Sequence, residues 1–293
     1  MICGAATDTG LQRERNEDRY WVDGDRGIFL VVDGVGGHAG GDLAAETAVQ
    51  AIREHLAGSS SDEPAADRIR SAITAANNRI YELAHGDPNL RGMACVLTLA
   101  LVEEDEITIG HVGDSRLYLV WNGALRKLTS DHSPVGEDED AGELSEPEAM
   151  RHPRRNEVFR DVGSQPRLAN DADFIEIRHC RFRPEAALLL CSDGLTDYVT
   201  SSQVREIVGR YDGDPARVAE ELVEEANRAG GDDNVTALFV AGPAYRGRRG
   251  VTRPRQSATR HRKPARMLTG RLAFLAYGLL IGMLLWVVLR TRG

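Results

Sequence analysis

The sequence predicts an α+β domain in which helices cover two antiparallel sheets, and three observations carry that expectation. Apolar runs of strand length recur at 28–32, 94–102, 106–112, 117–121, 186–191 and 235–240. Helical patterning falls early, at 42–57 and 65–84, and again late, at 201–209 and 215–229, leaving a strand-rich middle. That order is not the regular βαβ alternation a doubly wound parallel sheet requires. The pattern favours two covered sheets without fixing the architecture.

Each element has a local reason. Tyr20–Asp23, reading YWVD, is the first expected strand. Asp62 to Pro64 supplies a start for the helix over 65–84. Asn122-Gly123, between LYLVW and ALRKL, is a hairpin-turn signal. In 215–229, Val218, Leu222, Val223 and Ala226 fall on one helical face. Residues 133–157 are polar and acidic, with a short helix expected across SEPEAMR, where Ser145 and Glu148 have capping-box spacing. This stretch reads equally as a solvated excursion or as a flap near a site.

Charge divides the chain. The first 241 residues hold 24 basic residues against 45 acidic ones, a formal charge of −21, whereas Arg246 to Arg292 holds 12 bases and no acid. So acidic a body argues against a nucleic-acid surface on it. Cys3, Cys95, Cys180 and Cys191 form no CxxC pair and no zinc spacing, which fits free thiols in a reducing compartment. Residues 242–271, rich in Arg, Gly and Pro, read as a basic flexible linker. Residues 272–289, LAFLAYGLLIGMLLWVVL, carry no charge. As a helix they would span ~27 Å, near the ~30 Å of a bilayer core, so a transmembrane helix is expected there, followed by a short tail at 290–293. Ten bases lie between 246 and 271 and only Arg290 and Arg292 follow, an asymmetry that puts the acidic domain, 1–241, in the cytoplasm.

The chemistry is suggested by carboxylates in one repeated setting. Asp33 follows IFLVV, Asp193 follows ALLLC-Ser, and Asp233 precedes VTALFV, each beside an apolar strand and next to glycine or another small turn former. Hard oxygen ligands arranged in this way suit a divalent metal. In GLQRERNED, the fork of Arg13 suits two phosphate oxygens, and Glu17 and Asp18 are candidates for the metal's surroundings. Asp114 sits in a turn after Gly113, while Arg116 reads as a structural ion-pair residue.

Taken in order, Arg13 with Asn16-Glu17-Asp18, Asp33-Gly34 with Gly36-Gly37-His38, Gly113-Asp114-Ser115-Arg116, Asp131-His132-Ser133, Ser192-Asp193-Gly194 and Asp233-Asn234 resemble the motifs of the metal-dependent Ser/Thr protein phosphatases of the PP2C (PPM) family, in its bacterial form. The resemblance covers about residues 3–241. It implies a four-layer αββα sandwich with metals at one end of the sheets. It implies that Asp33 bridges two ions, that the Gly34 carbonyl reaches the first, and that Asp193 and Asp233 hold the second. Glu17 then lies near the second ion through water, Asp114 shares a third ion with Asp193, and Arg13 clamps phosphate. The family uses Mn²⁺ or Mg²⁺, in accord with an all-oxygen ligand set. The implied reaction is hydrolysis of phosphoserine and phosphothreonine by a metal-activated water with no covalent enzyme intermediate.

Two departures stand out. Val35 occupies the place of a histidine in many eukaryotic members, while His38 follows as in bacterial ones; it is read as loop-organising, with a catalytic role as the lesser alternative. Met93-Ala94-Cys95 replaces the small polar residues common in relatives. AGELSEPEAMRHPRRN matches the bacterial flap and favours a substrate-facing role. The implied partners are phosphorylated proteins, cognate bacterial Ser/Thr kinases and their substrates, and inner-membrane lipids through a single-pass anchor. Alternatives are a catalytically inactive PP2C-fold binding module and a small-molecule phosphomonoesterase.

Overall fold

Alternation along single strands sets the layers. In β3 (Ile28–Val35), Ile28, Leu30 and Val32 pack with α1 (Gly40–Gly58) and α2 (Ala65–Gly86), while Phe29 and Val31 point the other way. β4 (Ala94–Glu103) repeats this, with Leu97 and Leu99 toward the helices and Ala100 and Val102 opposite. These strands belong to a sheet of order β2-β3-β4-β5-β8, completed by β2 (Arg19–Asp23), β5 (Glu106–Val112) and β8 (Glu176–Arg181). The structure, a computed structural model, describes residues 1–36, 40–60 and 62–250.

A second sheet faces the first. Its order is β1-β10-β9-β6-β7, from β1 (Ile2–Asp8), β10 (Val235–Ala241), β9 (Ala187–Cys191), β6 (Arg116–Trp121) and β7 (Ala124–Lys127). Leu188, Leu190, Leu238 and Val240 meet Phe29 and Val31 between the sheets. Leu189, Cys191 and Phe239 face α6 (Ser201–Gly209) and α7 (Pro215–Ala229). All strand pairs in both sheets are antiparallel. The result is helix, sheet, sheet, helix, as the resemblance implies.

Some elements were not apparent from the sequence. β1 and β8 are edge strands with half-exposed or exposed residues, so neither carries a buried apolar run. β3 runs on beyond Val32, so Asp33 lies within the strand, opposite Val96. Asn122 and Gly123 both take positive φ, 52° and 75°, the turn geometry that joins β6 to β7. The acidic stretch holds α3 (Pro134–Ala141), capped by Ser133, and α4 (Glu146–Ala149), where Glu148 accepts the Ser145 N–H at 2.9 Å. The compact unit spans Met1–Val251. Tyr245 is buried against Tyr211 and Phe239 and donates to the Val208 carbonyl at 3.1 Å, so packing continues past residue 241. Among the described residues, no helix is long and apolar enough to cross a membrane. The segment 272–289 expected to do so lies outside them, as does His38.

Candidate active site

Antiparallel pairing brings the end of one strand beside the start of its neighbour. β9 ends at Cys191, just before Ser192 and Asp193, and β10 begins at Val235, just after Asp233 and Asn234. β3 delivers Asp33, and the turn between β5 and β6 delivers Asp114. Arg13, Glu17, Asp33, Gly34, Asp114, Asp193 and Asp233 accordingly line one cleft of about 170 Å³. Asp18 sits behind it, 2% exposed.

Backbone crowding explains the glycines. A Cβ on Gly34 would lie 2.2 Å from the Gly41 carbonyl oxygen, so only glycine lets the start of α1 approach the strand here. Gly113 has φ +108°, and a Cβ there would meet the Val96 side chain at 2.2 Å. Asn234 fastens the N-terminal loop: its Oδ1 accepts the Glu17 N–H at 2.8 Å, and its Nδ2 donates to the carbonyls of Thr9 at 2.9 Å and Arg15 at 2.8 Å. Arg13 is thereby held at the cleft, where it donates to Asp233 Oδ2 at 2.7 Å. It is the only guanidinium lining the cleft among the described residues.

The cleft is electrostatically uncompensated. Burial, then the neighbouring Asp18 and Asp193, pushes the Asp33 carboxyl well above its ordinary range. Burial followed by Asp114 and Asp197 does the same to Asp193. Burial, with Asp131 and Asp197 nearby, raises Asp114 to about 7. Burial raises Asp18 to about 6, even though its Oδ2 accepts the Ser192 hydroxyl at 2.7 Å. The other oxygen of Asp18 is buried with no hydrogen-bond partner among the described residues. A carboxylate oxygen left bare beside other carboxylates is a group that a cation would satisfy.

Other charged groups are already satisfied. Arg116 grips Asp131, with Nη2 at 2.6 Å from Oδ2, and Glu139 at 2.7 Å, the structural role read from the sequence. His111, His132 and Glu176 lie close enough together to hold an ion. Their atoms are instead hydrogen-bonded: Nδ1 of His111 to Thr98 at 2.9 Å, Nε2 to the Ser130 carbonyl at 3.1 Å, and Nδ1 of His132 to the Gly113 N–H at 3.0 Å. The Ser130 N–H donates to Glu176 at 3.0 Å.

Sequence reasoning did not single out Asn156 and Val158, which line the cleft from the far side of the acidic stretch. Asn156 is the last residue of the expected flap, whereas Val158 lies just beyond it and had no signal in the sequence.

Comparison with known proteins agrees with this arrangement. A protein phosphatase 2C family model matches residues 12–225. The serine/threonine phosphatase stp of Listeria monocytogenes is 35% identical over 240 residues, 80% of this chain and 93% of that protein. The crystal structure of Mycobacterium tuberculosis serine/threonine phosphatase PstP/Ppp superposes with a TM-score of 0.73 at 30% identity, covering 82% of this chain and 98% of the other. The catalytic domain of PstP in complex with two manganese ions gives a TM-score of 0.72 at 29% identity, covering 82% and 97%. With the fold, the carboxylate cleft and relatives matched over nearly their whole length in agreement, this chain belongs to the protein phosphatase 2C family and is a metal-dependent protein serine/threonine phosphatase.

Proposed function

We propose that the carboxylate cleft is the catalytic centre of this phosphatase, working on phosphoserine and phosphothreonine proteins at the cytoplasmic face of a bacterial inner membrane. The observation that carries the reading is the cleft itself: buried, mutually repelling carboxylates, one with a bare oxygen, beside a single guanidinium.

The donors are all oxygen, which fits Mn²⁺ or Mg²⁺. In this reading Asp33 and the Gly34 carbonyl, with Asp193 and Asp233, hold two ions. Asp114 with Asp193 holds a third, and Glu17 and Asp18 order the surroundings. When bound, the ions neutralise the phosphate dianion and lower the pKa of water. Arg13, at the mouth of the cleft, orients the nonbridging oxygens, leaving its bond to Asp233 for the substrate. Asn234 fixes the loop from which Arg13 reaches. Val158 and Val35 line the cleft beside these groups. His38 keeps its reading as a loop-organising residue. All the carboxylates are present, which disfavours an inactive binding module.

The chain is read as phosphatase domain, basic linker, expected at 242–271 but with Tyr245 still packed on the domain, and membrane anchor at 272–289, serving membrane-proximal substrates and opposing Ser/Thr kinases. The linker's arginines complement anionic headgroups.

The test is hydrolysis of a phosphothreonine peptide by the full chain in Mn²⁺, abolished by a strong chelator. Activity indifferent to chelator sinks the metal mechanism. In spheroplasts, a cysteine substituted at Gly293 should react with an impermeant maleimide while Cys3 reacts only after lysis; the reverse pattern overturns the topology.

A further inference from the structure

The ends of the sheets remote from the cleft carry a second cavity of the opposite charge. β6 starts at Arg116, opposite Cys191 and close to the carboxylates, and ends at Trp121. At about 3.3 Å per residue those ends are roughly 17 Å apart. The cavity, of about 390 Å³, gathers Arg126, Arg181 and Arg183 around Trp121, with the buried Leu119 and Ala186 also lining it and no carboxylate among its lining residues. Arg126 comes from β7 and Arg181 from β8, the edge strands of different sheets. The cavity therefore sits where the open sides of the sandwich meet.

These side chains are poorly satisfied within the domain. Arg181 is paired with Asp105 at 2.7 Å. Arg126 and Arg183 make no ion pair among the described residues, and Arg183 lies instead over the Trp121 ring, 4.8 Å from its centroid. Glu185, in the same turn as Arg183, is exposed and lines no part of the cavity. Trp121 is 42% exposed. The turn that carries Arg183 is firmly held. The Ala186 N–H donates to the Arg183 carbonyl at 2.9 Å, and the carbonyls of Pro184 and Ala186 accept the N–H groups of Ala244 at 2.8 Å and Gly242 at 2.9 Å. Residues 242–244 thus leave β10 alongside this turn, and in sequence they lead into the 12 bases that run from Arg246 to Arg292 with no acid.

Resting on the membrane reading above, the geometry points to this face as a lipid contact of the catalytic domain itself, in which Arg126 and Arg183 bind phosphates of an anionic leaflet and Trp121 enters the headgroup layer. An exposed indole and the apolar stems of arginine suit that layer, where one end of each side chain is apolar and the other wet. A body of formal charge −21 is repelled as a whole by an anionic surface, so it can rest there only through a locally basic face. Continuity with the basic linker, and with the uncharged 272–289 after it, favours a lipid surface over an acidic peptide. Docked in this way, the domain keeps its cleft, at the other end of the strands, turned from the lipid and open to phosphoproteins.

The full chain is reconstituted at low salt in vesicles of phosphatidylcholine alone and of phosphatidylcholine with phosphatidylglycerol. Amide exchange in β7 and in the turn 183–186 should slow about tenfold on the anionic vesicles only, and high salt should reverse this. The double variant Arg126→Gln, Arg183→Gln should lose that protection. Its hydrolysis of a phosphothreonine peptide in detergent should stay within about twofold of wild type, since neither residue lines the cleft. Brominated phosphatidylglycerol should quench Trp121, and comparison with Trp121→Phe separates that signal from the other two tryptophans. Equal protection on both vesicles, or protection that the double variant keeps, overturns the lipid contact. Should the double variant not fold, Trp121→Phe carries the test, and quenching identical to wild type overturns the contact as well. Protection by a glutamate-rich peptide but not by anionic vesicles assigns the face to a protein and overturns it too. The anchor is read separately, by flotation with phosphatidylcholine vesicles at high salt: a chain left behind there strikes the anchor reading, while the anionic vesicles still decide the contact.

Discussion

Two groups of buried carboxylates lie side by side and titrate in opposite directions. Asp131 is buried, yet Arg116 and Lys127 outweigh that burial and hold its carboxyl below the ordinary range. Asp33 and Asp193 are also buried, but their nearest charged neighbours are further carboxylates, and both rise. The Arg116 network brings its own cations and stabilises the fold. The cleft brings only Arg13, and folding leaves it in need of positive charge. The difference separates a structural ion-pair network from a centre built to receive metal.

The contrast is broken most sharply by making one substitution in each group. Asp33→Asn should lower phosphatase activity by more than about 100-fold, because in the proposed reading Asp33 would be a ligand to the metal ions. It should also raise the Tm of the metal-free chain, because it removes a repelling buried charge. Asp131→Asn should lower that Tm. Activity assays and thermal melts in chelator check both, and a shared sign in the two melts would erase the distinction.

A smaller effect is expected from the cation side. Arg116→Ala should cost ~3 kcal/mol of stability, since it strands Asp131 and Glu139 with only Lys127 nearby. Denaturant unfolding measures this, and a loss below about 1 kcal/mol would reduce the network to a surface-like pair.

The mildest test is pH. Asp18, at about 6, and Asp114, at about 7, hold protons more tightly folded than unfolded, where an aspartate titrates near 4. Their contribution to stability is complete below about pH 4 and is lost as pH rises through 6 to 7. Asp131 has the reverse sign, and its contribution is lost only as pH falls below the ordinary carboxylate range. Between pH 5 and 8 the metal-free Tm should therefore fall, and saturating Mn²⁺ should flatten the fall by holding the cleft carboxylates ionised. A metal-free Tm that rises over this window would falsify the account of the cleft.

The sequence by itself determined that strands such as 28–32 are buried, because a run that is apolar at every position has no face to leave in water, but it did not fix the layers that cover the two faces. It also determined the candidate ligands. A carboxylate at a strand end beside glycine marks a place where backbone and ligand must come close, and Gly34 against Gly41 is that closeness. Strands β1 and β8 stayed hidden, because neither has a fully buried residue and so neither leaves an apolar run to read. Tertiary structure alone decided the rest. Asp18 meets the Ser192 hydroxyl across 174 residues of chain, and Arg155 meets Asp197 across 42. Charge balance and contact depend on distances in space, and a linear order of residues does not contain them until the sheets have closed.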